Sequence, residues 1–262
     1  KKDIFKEVEN TKISLLEDII NNFQILHIDT SECGKAKYEI AQELMNFCNI
    51  SAEKYKKKIF FEFGCEDHGV LTSLKKFKED INFFKNYSNK QYIVCQTGSL
   101  VKSVFQVGQF DVDTVKAMSK IAKENGIFLK EHNCDYLNLE QIQLRRQYGI
   151  NAINIAPEFG VVESKSIVKI LSENNLDNLR DRFLELSFQS KKWSKWMVQD
   201  SKASNYEKSI IAGHYIFSQP ECQEIFSEAR KNLEKKNLSF DNYLKNNVKQ
   251  SIMRYVKHLN LI

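Results

Sequence analysis

The chain has 262 residues, of which 42% are hydrophobic and 28% charged, a composition that excludes a largely disordered protein. Its net charge of +5 comes from lysines that alternate with glutamates and asparagines, so the sequence lacks the basic stripe of a nucleic-acid-binding protein. No stretch approaches the roughly 18 consecutive apolar residues of a membrane helix, and residues 1–10 lack the apolar core of a signal peptide, so we expect a cytoplasmic protein without membrane or nucleic-acid partners.

Five short apolar segments recur in the first part of the chain. Each is rich in β-branched or aromatic residues, and their short length favours strands over helices. The predicted strands are residues 24–29, 58–64, 91–96, 126–132 and 152–156.

Segments with helical spacing lie between these predicted strands. They are residues 38–47, 74–84, 112–125 and 139–148. Asp111 and Asp113 are good N-cap residues for the third of them, and Gly126 is expected to end it. Strand and helix therefore alternate at a spacing of about 30 residues, which is typical of βαβ units in one parallel sheet.

Polar residues stand at the carboxyl end of each predicted strand: Asp29, Glu62, Gln96, His132 and Asn154. The carboxyl ends of parallel strands meet at one face, which carries the active site in a (β/α) barrel. The sequence therefore predicts a functional site at this face. Five strands do not close an eight-stranded barrel, so the sheet is either open or part of a barrel that lacks its first three strands.

The C-terminal part of the chain has a different character. Residues 176–262 show helical patterning with few glycines; residues 205–217 are predicted as one helix and residues 239–259 as one or two more. We therefore predict two parts, a (β/α) barrel portion over residues 1–170 and a helical extension over residues 171–262 that packs on the barrel.

The motifs at the strand ends resemble those of a known family in their order and spacing. They are LHIDTS at residues 26–31, FEFG at 61–64, VCQTG at 94–98, KEHNCDY at 130–136 and INIAP at 153–157. Together they resemble the class II tagatose-bisphosphate aldolase family, most closely its non-catalytic Z-subunit type. The resemblance implies an α/β fold, a TIM-type barrel that in this chain begins at the family's fourth strand, and it predicts that the native protein extends before Lys1.

The resemblance implies a role in carbohydrate metabolism with a sugar phosphate as ligand. Two roles stay open, the cleavage of a ketose (bis)phosphate to dihydroxyacetone phosphate and an aldehyde, or the stabilisation and activation of a catalytic class II aldolase chain. The implied partners are that catalytic subunit and further copies in an oligomer. The alternative is an isomerase, an epimerase or another lyase that acts on a sugar phosphate, because one barrel fold hosts many chemistries.

Class II aldolases stabilise an enediolate with a divalent metal ion. The resemblance therefore implies a divalent metal, zinc by preference, with His132 and Glu131 as candidate ligands. Gln96 stands where catalytic members supply another histidine, and the family's third-strand histidine has no counterpart here, which favours the accessory role.

The remaining candidate residues follow from their positions at the strand ends. Asp29, Glu62 and Glu66 are candidate catalytic carboxylates, although such a carboxylate can also cap a following helix or lie in a solvated loop. The resemblance implies a phosphate site in the loops after the last barrel strands, with Gln96, Gly98, Asn133, Asp135 and Asn154 as candidate substrate or phosphate ligands.

Overall fold

The computed structural model describes residues 4–64, 71–197 and 201–259. The helices in these residues are α1 (Ile4–Ile20), α2 (Lys37–Lys54), α3 (Leu74–Phe84), α4 (Val112–Glu124), α5 (Leu139–Gln147), α6 (Pro157–Glu173), α7 (Asp177–Gln189), α8 (Asn205–Ala212), α9 (Pro220–Glu234) and α10 (Phe240–His258). The strands are β1 (Ile25–Asp29), β2 (Phe60–Gly64), β3 (Lys90–Cys95), β4 (Val101–Lys102), β5 (Phe105–Gln106), β6 (Phe128–Glu131) and β7 (Ala152–Ile153). Three 3₁₀ segments accompany them, Ser31–Ala36, Ser194–Trp196 and Gly213–Tyr215.

Five strands form one parallel sheet in the order β1-β2-β3-β6-β7. The five predicted strands are thus confirmed as one parallel sheet, with helices between them. The short strands β4 and β5 pair antiparallel as a separate hairpin. Since β7 ends at Ile153, it is shorter than predicted, and helix α6 begins soon afterwards with Pro157 at its first position.

Local sequence explains where the helices of the sheet region begin and end. The Asp111 carboxylate accepts the backbone N–H of Thr114 at 2.8 Å, so of the two predicted N-cap residues Asp111 caps α4, and Asp113 lies in the first turn. Gly126 follows the helix with a φ of 65°, a left-handed conformation that glycine adopts at low cost. Ser73 caps α3 in the same way, accepting from the N–H of Lys76.

The chain folds as two compact units. Unit 1 comprises residues 1–99, 108–133 and 145–154, and unit 2 comprises residues 100–107, 134–144 and 155–262. The predicted domain boundary at residue 170 falls inside α6, whose residues all belong to unit 2.

Unit 1 places its core on one face of the parallel sheet. Alternate strand residues such as Leu26, Ile28, Phe61, Phe63 and Leu129 are buried and belong to one cluster with apolar residues of α1 to α4. We call this the outer face. The residues between them, including His27, Glu62 and Lys130, point to the opposite side, which we call the inner face.

Unit 2 has a core of its own, built by apolar residues of α6 to α10. The predicted helix over residues 205–217 is α8 followed by a 3₁₀ segment, and the one over 239–259 is α10. No helix in the described part of the chain combines the length and the apolar character that crossing a membrane requires.

Candidate functional site

Four side chains meet over the inner face of the sheet in unit 1: His27 from β1, Glu62 from β2, Lys130 from β6 and His132 just after β6. We call them the inner-face cluster. The Glu62 carboxylate lies at its centre, with His27 Nδ1 2.6 Å from Oε1 and Lys130 Nζ 2.8 and 2.7 Å from Oε1 and Oε2. Three strands therefore contribute to one hydrogen-bonded group.

The two histidine rings of the cluster approach each other across the sheet. Their centroids are 5.8 Å apart, although β2 and β3 lie between β1 and β6. Neighbouring strands are about 4.8 Å apart, so three steps across a flat sheet would span about 14 Å. The side chains of this face therefore converge, as they do on the inside of a barrel.

Electrostatics keep Glu62 ionised although only 6% of its side chain is exposed. Burial by itself raises the pKa of this carboxyl, but the hydrogen bonds and charges of His27 and Lys130 outweigh burial and lower the pKa to about 2. An ionised carboxylate only accepts hydrogen bonds, so the hydrogen of the His27 contact resides on Nδ1. In the neutral ring, the lone pair is then on Nε2 of His27.

A second polar pair lies at the carboxyl ends of β3 and β6. Asn133 Nδ2 donates to Gln96 Oε1 at 2.9 Å, and the Gln96 side chain is buried. The Gln96 backbone is held by Thr72, whose Oγ1 accepts from Gln96 N and whose N–H donates to Gln96 O, both at 2.9 Å. Asn133 has a left-handed φ of 61°, which asparagine tolerates better than most residues.

The predicted phosphate-binding residues Gly98 and Asn154 also follow strands of unit 1. Gly98 has a φ of 97°, and a Cβ atom at this position would lie 2.0 Å from the carbonyl oxygen of Gln109. Only glycine therefore fits this turn. Asn154 is exposed, and its backbone N–H donates to the carbonyl of Glu131 at 2.9 Å.

Comparison with known proteins identifies the fold. No protein-family model and no curated protein sequence matches the chain. A probable tagatose 6 phosphate kinase from Sinorhizobium meliloti 1021 has a similar structure, with a TM-score of 0.78 at 12% identity over 97% of this chain and 77% of that one. The chain contributes part of a TIM-type α/β barrel.

Two glycerol complexes of fructuronate-tagaturonate epimerase from Cohnella laeviribosi share this barrel. Both have a TM-score of 0.63, at 13% and 14% identity, over 95% of this chain and 66% of theirs. The inner-face cluster thus lies on the inside of an incomplete barrel, with its polar groups toward the carboxyl ends of the strands, where barrel enzymes carry their active sites.

Glu131, a predicted metal ligand, lies on the outer face and not beside His132. Its buried carboxylate pairs with Arg145, whose Nε lies 3.0 Å from Oε2, and accepts from Ser99 Oγ at 2.6 Å and from Thr97 Oγ1. Successive residues of a strand point to opposite faces. The Glu131 carboxylate therefore does not lie beside His132 on the inner face, where the two would have to bind one metal ion. The structure therefore corrects the grouping of these two residues.

Asp29, a predicted catalytic carboxylate, acts locally as a turn-forming residue. Its Oδ1 accepts the backbone N–H of Ser31 at 2.9 Å, at the start of the 3₁₀ segment that precedes α2. The side chain is exposed and lines a cavity of about 720 Å³ together with residues of α1 and α2.

Asp135, a predicted substrate ligand, belongs to unit 2 and holds the start of α6. Its Oδ1 accepts the N–H groups of Ala156 and Glu158 at 3.0 and 2.9 Å. Burial raises the pKa of the Asp135 carboxyl to about 6, against the effect of those two hydrogen bonds. The Asp135 carboxylate thus binds backbone N–H groups of its own unit.

The predicted metal ligands do not form a complete ligand set among the described residues. Residues 4–64, 71–197 and 201–259 contain no group of three or more His, Cys, Asp or Glu side chains placed to hold a metal ion. Glu66, the third predicted catalytic carboxylate, lies outside the described residues. The divalent metal therefore stays a prediction.

Sequence reasoning missed two members of the cluster, His27 and Lys130. Each stands two residues before a predicted strand-end residue, Asp29 and His132 respectively. Because side chains of a strand share a face at every second position, the period of two would have marked both as inner-face residues.

Proposed function

We propose that the protein acts on ketose phosphates in carbohydrate metabolism, as an aldolase-type lyase resembling the tagatose-bisphosphate aldolase Z subunit. The observation that carries this proposal is the inner-face cluster, which brings an ionised carboxylate, an ammonium group and two imidazoles together inside a TIM-type barrel. The motif order of the sequence and the fold shared with a probable tagatose 6 phosphate kinase support the same class of substrate.

The chemistry of aldol cleavage matches the groups of the cluster. Cleavage removes a hydroxyl proton and leaves negative charge on the oxygen of a ketose carbonyl. The imidazoles of His27 and His132 are groups of the kind that act as general acids and bases. The Lys130 ammonium is a donor that can stabilise charge on oxygen.

Of the two roles, we favour catalysis by the chain. The other role is that the chain stabilises or activates a catalytic class II aldolase. Gln96, which donates and accepts but is a poor zinc ligand, is paired with Asn133 and supports the accessory role. The polar cluster at the strand ends supports catalysis, because a bare scaffold would not require an ion pair and two histidines on its inner face.

The first test is a coupled retro-aldol assay with tagatose-1,6-bisphosphate that scores dihydroxyacetone phosphate. The full chain is assayed with added zinc, alone and mixed with a catalytic class II aldolase. We expect turnover by the chain alone, reduced at least about 100-fold by His132→Ala, because general acid–base groups contribute rate factors of this size.

The control for this assay is His258→Ala, at the last position of α10 in unit 2, which we expect to leave turnover unchanged. No turnover alone but a gain in the mixture would make the chain an accessory subunit. Absence of any effect in both settings would contradict the aldolase proposal.

A second candidate is epimerisation of a ketose phosphate. The specific observation in its favour is the pair of imidazole rings 5.8 Å apart, since inversion at a carbon needs one group to remove a proton and another to return one to the opposite side. The fold shared with a fructuronate-tagaturonate epimerase supports this candidate. NMR detection of an epimer without release of dihydroxyacetone phosphate would establish it over cleavage.

A further inference from the structure

We infer that Lys130, and not a metal ion, stabilises the enediolate of the ketose phosphate, and that His27 moves the proton. This inference rests on the function proposed above and states how the same site would work. The donor set does not suit a metal, Lys130 is placed as the cation, and His27 is placed as the base.

The donor set of the inner face does not suit a metal ion. A catalytic zinc site takes three protein ligands and leaves one position open. Here the Glu62 carboxylate is engaged by His27 and Lys130, and Glu131 lies on the outer face with Arg145. No third ligand joins the two histidines within the described parts of the chain.

Lys130 is placed to supply positive charge in a partly buried site. Its side chain is 19% exposed, and its Nζ lies within 2.8 Å of both Glu62 oxygens. An ammonium group has three N–H donors, and Glu62 accepts from two of them. The third can donate to a ligand oxygen on the inner face, and such a bond is charge-assisted.

The contact with Glu62 sets the tautomer of the neutral His27 ring. Since Glu62 is ionised, it accepts the Nδ1–H of His27, and the lone pair is left on Nε2. The carboxylate also stabilises the imidazolium that forms once Nε2 has taken up a proton. Glu62 therefore serves as the positioning residue for both the base and the cation.

The proposed step is an enolisation that balances without another reactant. Nε2 of His27 takes a proton from the carbon beside the ketone, and the electrons of that C–H bond form the C=C bond of the enediolate. The electron pair of the carbonyl π bond moves onto oxygen, which accepts a hydrogen bond from Lys130. On return, His27 gives the carbon a proton that has exchanged with solvent.

The experiment follows the exchange of carbon-bound protons of dihydroxyacetone phosphate in D₂O by ¹H NMR, using the full chain in EDTA. We expect exchange by the wild type in EDTA and a loss of about 100-fold in Lys130→Met and in His27→Gln. The matched control is Lys120→Met, whose side chain is 78% exposed on α4 and which should exchange like the wild type.

A folding control is needed because Lys130→Met leaves the Glu62 carboxylate with one partner fewer. Lys130→Arg keeps both the cation and its ion pair, and we expect it to retain more than about a tenth of the exchange rate. Loss in Lys130→Met with recovery in Lys130→Arg, at equal thermal stability, supports the inference. Full exchange in a folded Lys130→Met protein overturns it.

The remaining outcomes separate this inference from the function on which it rests. Exchange that EDTA abolishes and zinc restores would overturn the role of Lys130 and leave the ketose phosphate proposal standing. No exchange by the wild type with or without zinc, together with no turnover in the retro-aldol assay, would overturn both.

Discussion

Glu62 is the residue on which the inner-face cluster depends. A buried carboxylate normally has a raised pKa, yet the partners of Glu62 lower its pKa to about 2, because an ammonium and an imidazole both favour the charged form. The same contacts that make the residue ionised also link strands β1, β2 and β6. Its protonation state is therefore coupled to the folding of unit 1.

This coupling predicts a pH dependence of stability. The folded-state pKa of Glu62 lies below the ordinary value of 4.5, so its contribution is complete above that value and is lost as the pH falls toward 2. At about 1.4 kcal/mol per pKa unit, the contribution is on the order of 3 kcal/mol.

The measurement is the free energy of unfolding in urea between pH 2 and pH 5, for the wild type and Glu62→Gln. We expect the difference between the two proteins to shrink as the pH falls. A difference that stays constant over this range would show that Glu62 is not held ionised by its partners.

At the scale of elements, the buried Arg145–Glu131 pair connects three parts of unit 1. Glu131 ends β6, Arg145 comes from α5, and Ser99 of the loop after β3 hydrogen-bonds both of them. The Arg145 guanidinium also lies 4.1 Å from the centre of the Phe110 ring. This outer-face pair fixes the backbone from which His132 and Asn133 extend.

We expect Arg145→Met to reduce the free energy of unfolding by about 3–5 kcal/mol, because it leaves a buried carboxylate without its cation. Equilibrium urea unfolding measures the loss. The matched control is Arg182→Met, whose pair with Glu228 is 40% and 50% exposed and should cost less than about 1 kcal/mol.

A second variant tests the cause of that loss. The double substitution Arg145→Met with Glu131→Gln removes both charges, and we expect it to recover most of the stability. Equal instability of the single and double variants would mean that packing, and not the unpaired charge, explains the effect.

At the scale of the whole molecule, each unit has a hydrophobic core of its own. Phe61 of β2 is fully buried in the cluster of unit 1, and Phe183 of α7 is fully buried in that of unit 2. Burial of apolar surface is the main source of stability in folded proteins, so each unit should depend on its own core.

Truncating either phenylalanine should therefore destabilise the protein. We expect Phe61→Ala and Phe183→Ala each to cost about 3–5 kcal/mol, the range for large-to-small substitutions in a packed core. Phe5→Ala, at a side chain that is 76% exposed, should change stability by less than about 0.5 kcal/mol. Equal effects of Phe5→Ala and Phe61→Ala in thermal or urea unfolding would contradict the core assignment.

The alternation of strand and helix was determined by the sequence alone. Apolar runs of β-branched and aromatic residues, helical spacing between them, and caps such as Asp111 are local signals, and local signals decide secondary structure here. Of the residues predicted from strand ends, Glu62 and His132 lie in the inner-face cluster. The extent of β7 was overestimated, because residues 154–156 connect the strand to α6, which begins at Pro157 with Ala156 as its N-cap.

Only the tertiary structure decided which of these residues meet. The pairing of Glu62 with His27 and Lys130 depends on the order β1-β2-β3-β6 and on the convergence of side chains over the inner face. A sequence pattern contains neither the strand order nor this convergence. The partner of Glu131 was also hidden, because Arg145 reaches it from a helix 14 residues away. Local chemistry thus determined the elements, whereas the strand order and the curvature of the sheet determined the site.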